Sequence, residues 1–112
     1  MKKFNDVKNA ILGKSYDLSI ANVSPAISKK INRERRKINK PTNILSFNLT
    51  KSSGELILCP DVIREEAPQF GLNYSKFLGL LVIHGLLHLK GMRHGSKMET
   101  MEKKFCRRFG FN

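Results

Sequence analysis

The chain is short of acidic residues, cysteine and tryptophan. Nine Asp and Glu stand against 21 Lys and Arg in 112 residues, with two cysteines and no tryptophan. Cys59 and Cys106 are too far apart for a Cys-x-x-Cys motif, which argues against a cysteine-based metal site and favours reduced thiols in a cytoplasmic protein. No secretory signal is expected, because polar residues follow Met1. The length predicts a single domain over residues 1–112.

Long hydrophobic runs are also missing. The most apolar stretch ends at Leu89, is interrupted by histidine and is too short to cross a bilayer. The basic stretches lack the Trp or Phe stripe that an interfacial membrane helix carries opposite its charges. We therefore expect no membrane among the partners of this protein.

The excess of positive charge is concentrated in two blocks. The formal net charge is +12 and the pI is about 10.1. The first block, residues 29–40, contains a single acidic residue, Glu34. The second block comprises Lys90, Arg93, Lys97, Lys103, Lys104, Arg107 and Arg108. A solvated helix face usually intersperses carboxylates among its basic residues, so these blocks favour contact with a nucleic acid.

All three histidines fall in one segment, His84-Gly-Leu-Leu-His88-Leu-Lys-Gly91-Met-Arg-His94. His84 and His88 are four residues apart, so they share one face of a helix. Gly91 can adopt the left-handed conformation that ends a helix, and the turn brings His94 beside the pair. We expect one Zn²⁺ held by three histidines and a water, which is typical of catalytic zinc. Nickel, copper or another divalent ion also suits these donors.

The residue after the first histidine separates this segment from zinc peptidases of the same spacing. Metzincins place a Glu there as the general base for water attack on a peptide carbonyl. Gly85 stands at that position, so a peptidase mechanism would lack its proton acceptor. A cation held by neutral imidazoles keeps its full charge and can polarise an oxygen of the substrate.

Hydrophobic periodicity predicts an α+β fold, a small mixed sheet of three to four strands covered by helices. We expect strands at 17–22, 44–49 and 55–59, with the last two forming an antiparallel hairpin. A helix between the first two strands predicts a right-handed crossover that leaves those strands parallel.

Capping residues indicate where the helices begin. Ser24-Pro25 predicts a helix through the first basic block, with Ile27 and Ile31 on one face. Ser96-Lys-Met-Glu99 reads as a capping box that opens a final basic helix. Further helices are expected over residues 4–12 and from Pro60, and a buried metal-binding helix from about 73 to 90.

The histidine segment resembles the signature of the YbeY family of bacterial rRNA maturation factors, His-Gly-x-Leu-His-Leu-x-Gly-x-Asp-His. Two upstream stretches are similar to the family's Leu-Asn-x-x-Tyr-Arg and Pro-Thr-Asp-Val-Leu-Ser-Phe, namely Asn32-Arg-Glu-Arg-Arg36 and Pro41-Thr-Asn-Ile-Leu-Ser-Phe47. Gly54-Glu-Leu-Ile57 resembles the Gly-Asp-Ile strand that follows. Together these matches cover most of residues 31–94 in the family's order.

The resemblance implies a metal-dependent, single-strand-specific endoribonuclease, usually with zinc. It implies a role in 3′-end maturation of 16S rRNA and in ribosome quality control, with ribosomal RNA and the small subunit as partners. The implied site residues are the metal ligands His84, His88 and His94 and the catalytic residue Arg36. A guanidinium fork suits phosphate oxygens. Whether water or the RNA's own 2′-hydroxyl attacks phosphorus stays open, as does the oligomeric state.

A non-catalytic ribosome assembly factor with a structural metal is the alternative, and departures from the family pattern bear on it. The differing positions are Arg93, for the usual Asp before the last histidine, Asn43 for Asp, Leu80 for a frequent His, and Arg35 for an aromatic residue. If the family's Asp orients a ligand, another carboxylate must do so here. By residue type alone the candidates are Glu55, Asp61 and Glu99.

Overall fold

The computed structural model describes residues 2–112, which form a three-stranded sheet packed against helices. The helices are α1 (Lys2–Leu12), α2 (Pro25–Arg36), α3 (Pro60–Glu66), α4 (Tyr74–Leu89) and α5 (Ser96–Phe109). The strands are β1 (Asp17–Asn22), β2 (Ile44–Thr50) and β3 (Ser53–Leu58). A short 3₁₀ turn, Ala67–Phe70, follows α3. The α+β class expected from the sequence is confirmed.

The sheet has the order β1-β3-β2, with β3 parallel to β1 and antiparallel to β2. The β2–β3 hairpin was predicted, but the parallel pairing of the first two strands is wrong, because β1 and β2 lie at opposite edges and run in opposite directions. β3 is the central strand, and its residues alternate most regularly between buried and partly exposed. Gly54, Leu56 and Leu58 of β3 are buried, whereas β2 ends in exposed residues.

Helix α4 lies at the centre of the molecule, with nine of its 16 residues buried. Its N-cap is Asn73, whose side chain accepts a hydrogen bond from the Lys76 amide at 2.9 Å. The helix packs closely on the sheet at Gly85, where an added Cβ would lie 2.8 Å from Leu56 Cδ2 and 2.9 Å from Ile44 Cδ1. The position that lacks the peptidase base therefore faces the core, and its small size sets the height of the histidine-bearing helix above the sheet.

Helix α2 buries a polar face, whereas the sequence pattern had indicated Ile27 and Ile31 as its apolar face. Ser28 and Asn32 are buried, while Ile27 is 49% exposed. The Ser28 hydroxyl donates to the Thr42 carbonyl and accepts from the Thr42 amide, both at 2.9 Å. These polar contacts satisfy groups that would be costly to bury unpaired, and they fix the basic helix to the segment that leads into β2.

Helix α5 begins without the expected capping box. Gly95 is the N-cap residue and Ser96 is already helical, with no side-chain hydrogen bond to the cap in the described chain. The backbone at Gly95 has φ 155° and ψ −178°, a conformation that is nearly restricted to glycine. The tight turn after His94 requires this conformation at the N-cap position, so glycine and not serine occupies it.

Two smaller expectations concern the membrane and the cysteines. Among residues 2–112 no single helix has the length and apolar character of a bilayer span. The bent helix pair Pro60–Phe70 and Tyr74–Leu89 has this length and apolar character only when the two helices are taken together.

Cys59 and Cys106 are both buried and free. Burial raises the pKa of the Cys106 thiol to about 11, so this thiol keeps its proton at neutral pH.

Candidate metal centre

The three histidines lie together at the C-terminal end of α4. The ring centroids of His84 and His88 are 4.5 Å apart, and those of His94 lie 5.0 Å and 4.6 Å from them. One nitrogen of each ring lies within 4.8 Å of the other two. Gly91, with φ 104°, makes the turn that returns His94 to the pair. The structure therefore brings together all three residues that the sequence indicated as ligands.

A backbone carbonyl sets the tautomer of His88. Its Nδ1 donates to the Met92 carbonyl at 3.1 Å, and its Nε2 faces the Nε2 of His84 at 3.0 Å. Burial lowers the pKa of His88 below the ordinary 6.5, and the neighbouring His84 lowers it further. The ring is thus neutral at pH 7 with a free lone pair on Nε2, which is the form that binds a metal.

A carboxylate on α5 plays the same part for His84. Glu102 accepts the Nδ1 proton of His84, and both side chains are largely shielded from solvent. This contact fixes the tautomer and the orientation of the ring, as carboxylates beside metal-binding histidines commonly do. With both Nδ1 atoms engaged, the Nε2 atoms of His84 and His88 present two lone pairs to each other.

The opposed lone pairs test whether these residues fit a cation. At 3.0 Å the two lone pairs repel each other, and a positive ion that accepts both removes the repulsion. Zn–N bonds of about 2.0–2.1 Å in a tetrahedral site separate two nitrogen ligands by roughly 3.3 Å, close to the observed distance. The nitrogen donors fit a divalent cation, and zinc, nickel and copper all suit them.

The carboxylates proposed from residue type lie elsewhere. Glu55 accepts a hydrogen bond from the Ser19 hydroxyl at 3.3 Å, and Asp61 pairs with an exposed arginine. Glu99 is exposed. None of these three lines the cleft above the histidines. The carboxylate that contacts a histidine is that of Glu102, which the sequence reasoning missed.

Helical spacing in α5 could have indicated Glu102. Met98, Phe105 and Cys106 are buried on this helix, and Glu102 stands four residues after the first and three or four before the others. That spacing places it on the inward face of α5. An acidic residue on the buried stripe of a basic helix needs a partner, and His84 is that partner.

A cleft of about 720 Å³ opens over the histidines and also contains Arg36. Arg35 and Arg36 stand on the exposed last turn of α2 and both line the cleft. The Arg35 guanidinium lies 5.4 Å from the centre of the Phe47 ring, over its face. The arginine indicated by the family resemblance therefore shares one cavity with the three imidazoles.

Most of the positions that depart from the family pattern also lie in this cleft. Arg35, Asn43 and Leu80 line it, whereas Arg93 is exposed and lies outside its lining. The Asn43 amide donates to the Glu66 carboxylate at 2.8 Å. An Asp at position 43 would place two carboxylates side by side, so the amide suits its partner here.

Known proteins match most of this chain. The family described as Endoribonuclease YbeY matches residues 2–109. The Endoribonuclease YbeY of Bdellovibrio bacteriovorus is 38% identical over 96 residues, which are 84% of this chain and 61% of the relative. That of Thermosipho melanesiensis is 35% identical over 107 residues, which are 94% of this chain and 78% of the relative.

A solved structure shares the fold. The solution structure of TM1509 from Thermotoga maritima matches with a TM-score of 0.70 and 28% identity, over 96% of this chain and 77% of that one. The chain spans about three fifths of the length of the B. bacteriovorus relative. On these matches, the chain belongs to the YbeY family.

Proposed function

We propose that the protein is a metal-dependent endoribonuclease that cleaves single-stranded RNA in the cleft above the three histidines. The observation that carries this proposal is the convergence of His84, His88 and His94 in one cavity with Arg36. The names of the relatives support the reaction class. The Lys and Arg side chains of both basic blocks are exposed, which supports a polyanionic substrate.

Each part of the centre has a role that follows from its geometry. The three histidines would hold the ion, and Glu102 and the Met92 carbonyl orient two of the rings. When bound, a divalent cation supplies a Lewis acid that polarises a phosphate oxygen. Arg36 presents N–H groups in a planar fork that binds phosphate oxygens and stabilises charge developing on them. The attacking group is water or the RNA's 2′-hydroxyl, and the ends of the products distinguish the two.

We further propose the 3′ end of 16S rRNA in the small ribosomal subunit as the substrate, and the cytoplasm as the location. Ribosome quality control would follow from cleavage of RNA in defective subunits. The support is the family membership together with the excess of positive charge, which suits a polyanionic substrate such as ribosomal RNA.

The test is a cleavage assay on single-stranded RNA and on precursor 16S rRNA. We expect His88→Ala and Arg36→Ala each to lower the cleavage rate by about 100-fold or more. Arg64→Ala is the matched control, because Arg64 is an exposed arginine outside both basic blocks and outside the cleft lining. Circular dichroism checks that each variant is folded.

The outcomes separate the proposal from its alternative. Undiminished cleavage by folded His88→Ala would overturn a role for the histidine centre in the reaction. Undiminished cleavage by Arg36→Ala would remove that residue from the mechanism. Tight RNA binding with no cleavage by the metal-loaded wild type would favour the non-catalytic assembly factor with a structural metal.

A further inference from the structure

Phe70 is a large aromatic side chain left 59% exposed on the lining of the cleft. It ends the 3₁₀ turn that follows α3, and Gly71, at φ 67°, closes that turn. Its ring stacks on Phe77, with centroids 4.8 Å apart and planes 22° from parallel. Phe77 is only 1% exposed, so the core supports one face of the Phe70 ring. Most of the remaining surface of the ring faces solvent.

The stacked pair lies along the same helix face as the metal centre. Phe77 precedes His84 by seven residues on α4, which corresponds to two turns and about 10.5 Å of rise. Residues seven apart lie on one face of a helix, and both line the cleft. The exposed ring, stacked on Phe77, therefore shares the cleft with the histidines.

The charge of the cleft indicates what the ring would contact. Arg35 and Arg36 line the same cavity, and the two basic blocks give the surrounding surface its sign. Proteins that bind single-stranded nucleic acids combine a positive groove with aromatic rings on which bases stack. Leu49 of β2 is also a large apolar side chain, and it is 62% exposed, but it does not line the cleft.

We propose that Phe70 is a stacking platform for an unpaired base of the RNA substrate, in the same cleft as the phosphodiester that is cleaved. This inference rests on the proposed function and specifies it further. A base inside a duplex has both faces covered by its neighbours, so only an unstacked base can lie on the Phe70 ring. Phe70 thereby acts as a positioning residue that favours single-stranded RNA.

The test measures binding of a 2′-O-methylated single-stranded oligoribonucleotide, which resists cleavage, by the metal-loaded protein. We expect Phe70→Ala to weaken binding by about 5- to 150-fold, the usual effect of losing one base–aromatic stack. Phe70→Trp should retain the affinity, while Phe70→Leu, which keeps apolar contact with Phe77, should not. Leu49→Ala is the matched control, and its affinity should stay within about twofold of the wild type.

Oligonucleotides with one abasic position allow a double-mutant cycle between the Phe70 ring and the base that stacks on it. For the wild type, one particular abasic position should weaken binding as much as Phe70→Ala does, and for Phe70→Ala the same position should have no further effect. Equal binding by Phe70→Ala, Leu49→Ala and wild type would overturn the stacking role and leave the nuclease proposal intact. Loss of a concentration-dependent dimer in Phe70→Ala, with RNA affinity unchanged, would overturn it in favour of a second copy. A wild type that neither binds nor cleaves RNA would overturn the proposed function itself.

Discussion

Glu102 is the residue through which α5 acts on the metal centre. In Glu102→Gln the neutral amide no longer polarises the His84 ring, so we expect the affinity for Zn²⁺ to fall by about 10- to 100-fold. Competition with a chromogenic chelator measures this affinity without any assay of RNA cleavage. Glu99→Gln is the matched control, because Glu99 is exposed on the same helix. Equal affinities for both variants and the wild type would contradict the role assigned to Glu102.

Residue-scale prediction succeeded where the contacts are local in sequence. His84, His88 and His94 are brought together by one helical turn and one glycine turn, both of which follow from spacing. The partner of His84 is 18 residues away, and its approach depends on the angle at which α5 packs on α4. Spacing alone does not fix that angle. Spacing does place Glu102 on the inward face of α5, but it does not predict that His84 is the residue it contacts.

At the scale of elements, α2 depends on its buried polar face. The side chain of Asn32 donates to the Lys40 carbonyl at 2.9 Å, so Asn32→Ala leaves that carbonyl without its partner. We expect the free energy of unfolding to fall by about 1–3 kcal/mol. RNA cleavage should also weaken, because Arg36 lies on the same helix. Urea denaturation measures the stability change.

Ile27→Ala is the control for that experiment. Ile27 is on the same helix but half exposed, so we expect a change of no more than about 0.5 kcal/mol. A larger loss of stability in Ile27→Ala than in Asn32→Ala would show that α2 is held by its apolar face, as the sequence pattern had indicated.

The bounds of the elements were predictable, whereas their pairing was only partly so. Ser24 and Asn73 cap α2 and α4 through bonds to Ile27 and Lys76 amides, and such caps are visible in sequence. The hairpin of β2 and β3 follows from its short polar turn. The strand that pairs with β1 cannot be predicted in this way, since the helix that follows β1 can return the chain to either side of β3. The strand order depends on burial, because β3 is more buried than β2 and takes the central position.

At the scale of the whole molecule, the positive charge should govern RNA affinity. Each phosphate contact contributes about −0.7 to the slope of log affinity against log salt for a single strand. We expect Arg35→Gln to make that slope shallower by about 0.7, because Arg35 lines the cleft. Lys51→Gln, an exposed residue of the β2–β3 turn outside the cleft, should leave the slope unchanged. Fluorescence anisotropy at several salt concentrations measures both.

A slope unaffected by Arg35→Gln but reduced by Lys51→Gln would place the RNA on another face. Composition alone indicated a polyanionic partner, but it could not locate the binding surface. The structure supplies a candidate surface, because the cleft brings the end of α2, the start of β2 and the histidines of α4 together. These segments are distant in sequence, so their common cavity follows only from the packing of α4 on the sheet.

The central claim is that His84, His88 and His94 together hold one divalent ion on which RNA cleavage depends. The most direct measurement is the cleavage rate of chelator-stripped protein on single-stranded RNA as Zn²⁺ is added in substoichiometric steps. The rate should rise in proportion to zinc and level off at one equivalent, and His88→Ala should show no such rise. Full cleavage by the stripped wild type, or a rate indifferent to added metal, would contradict the claim.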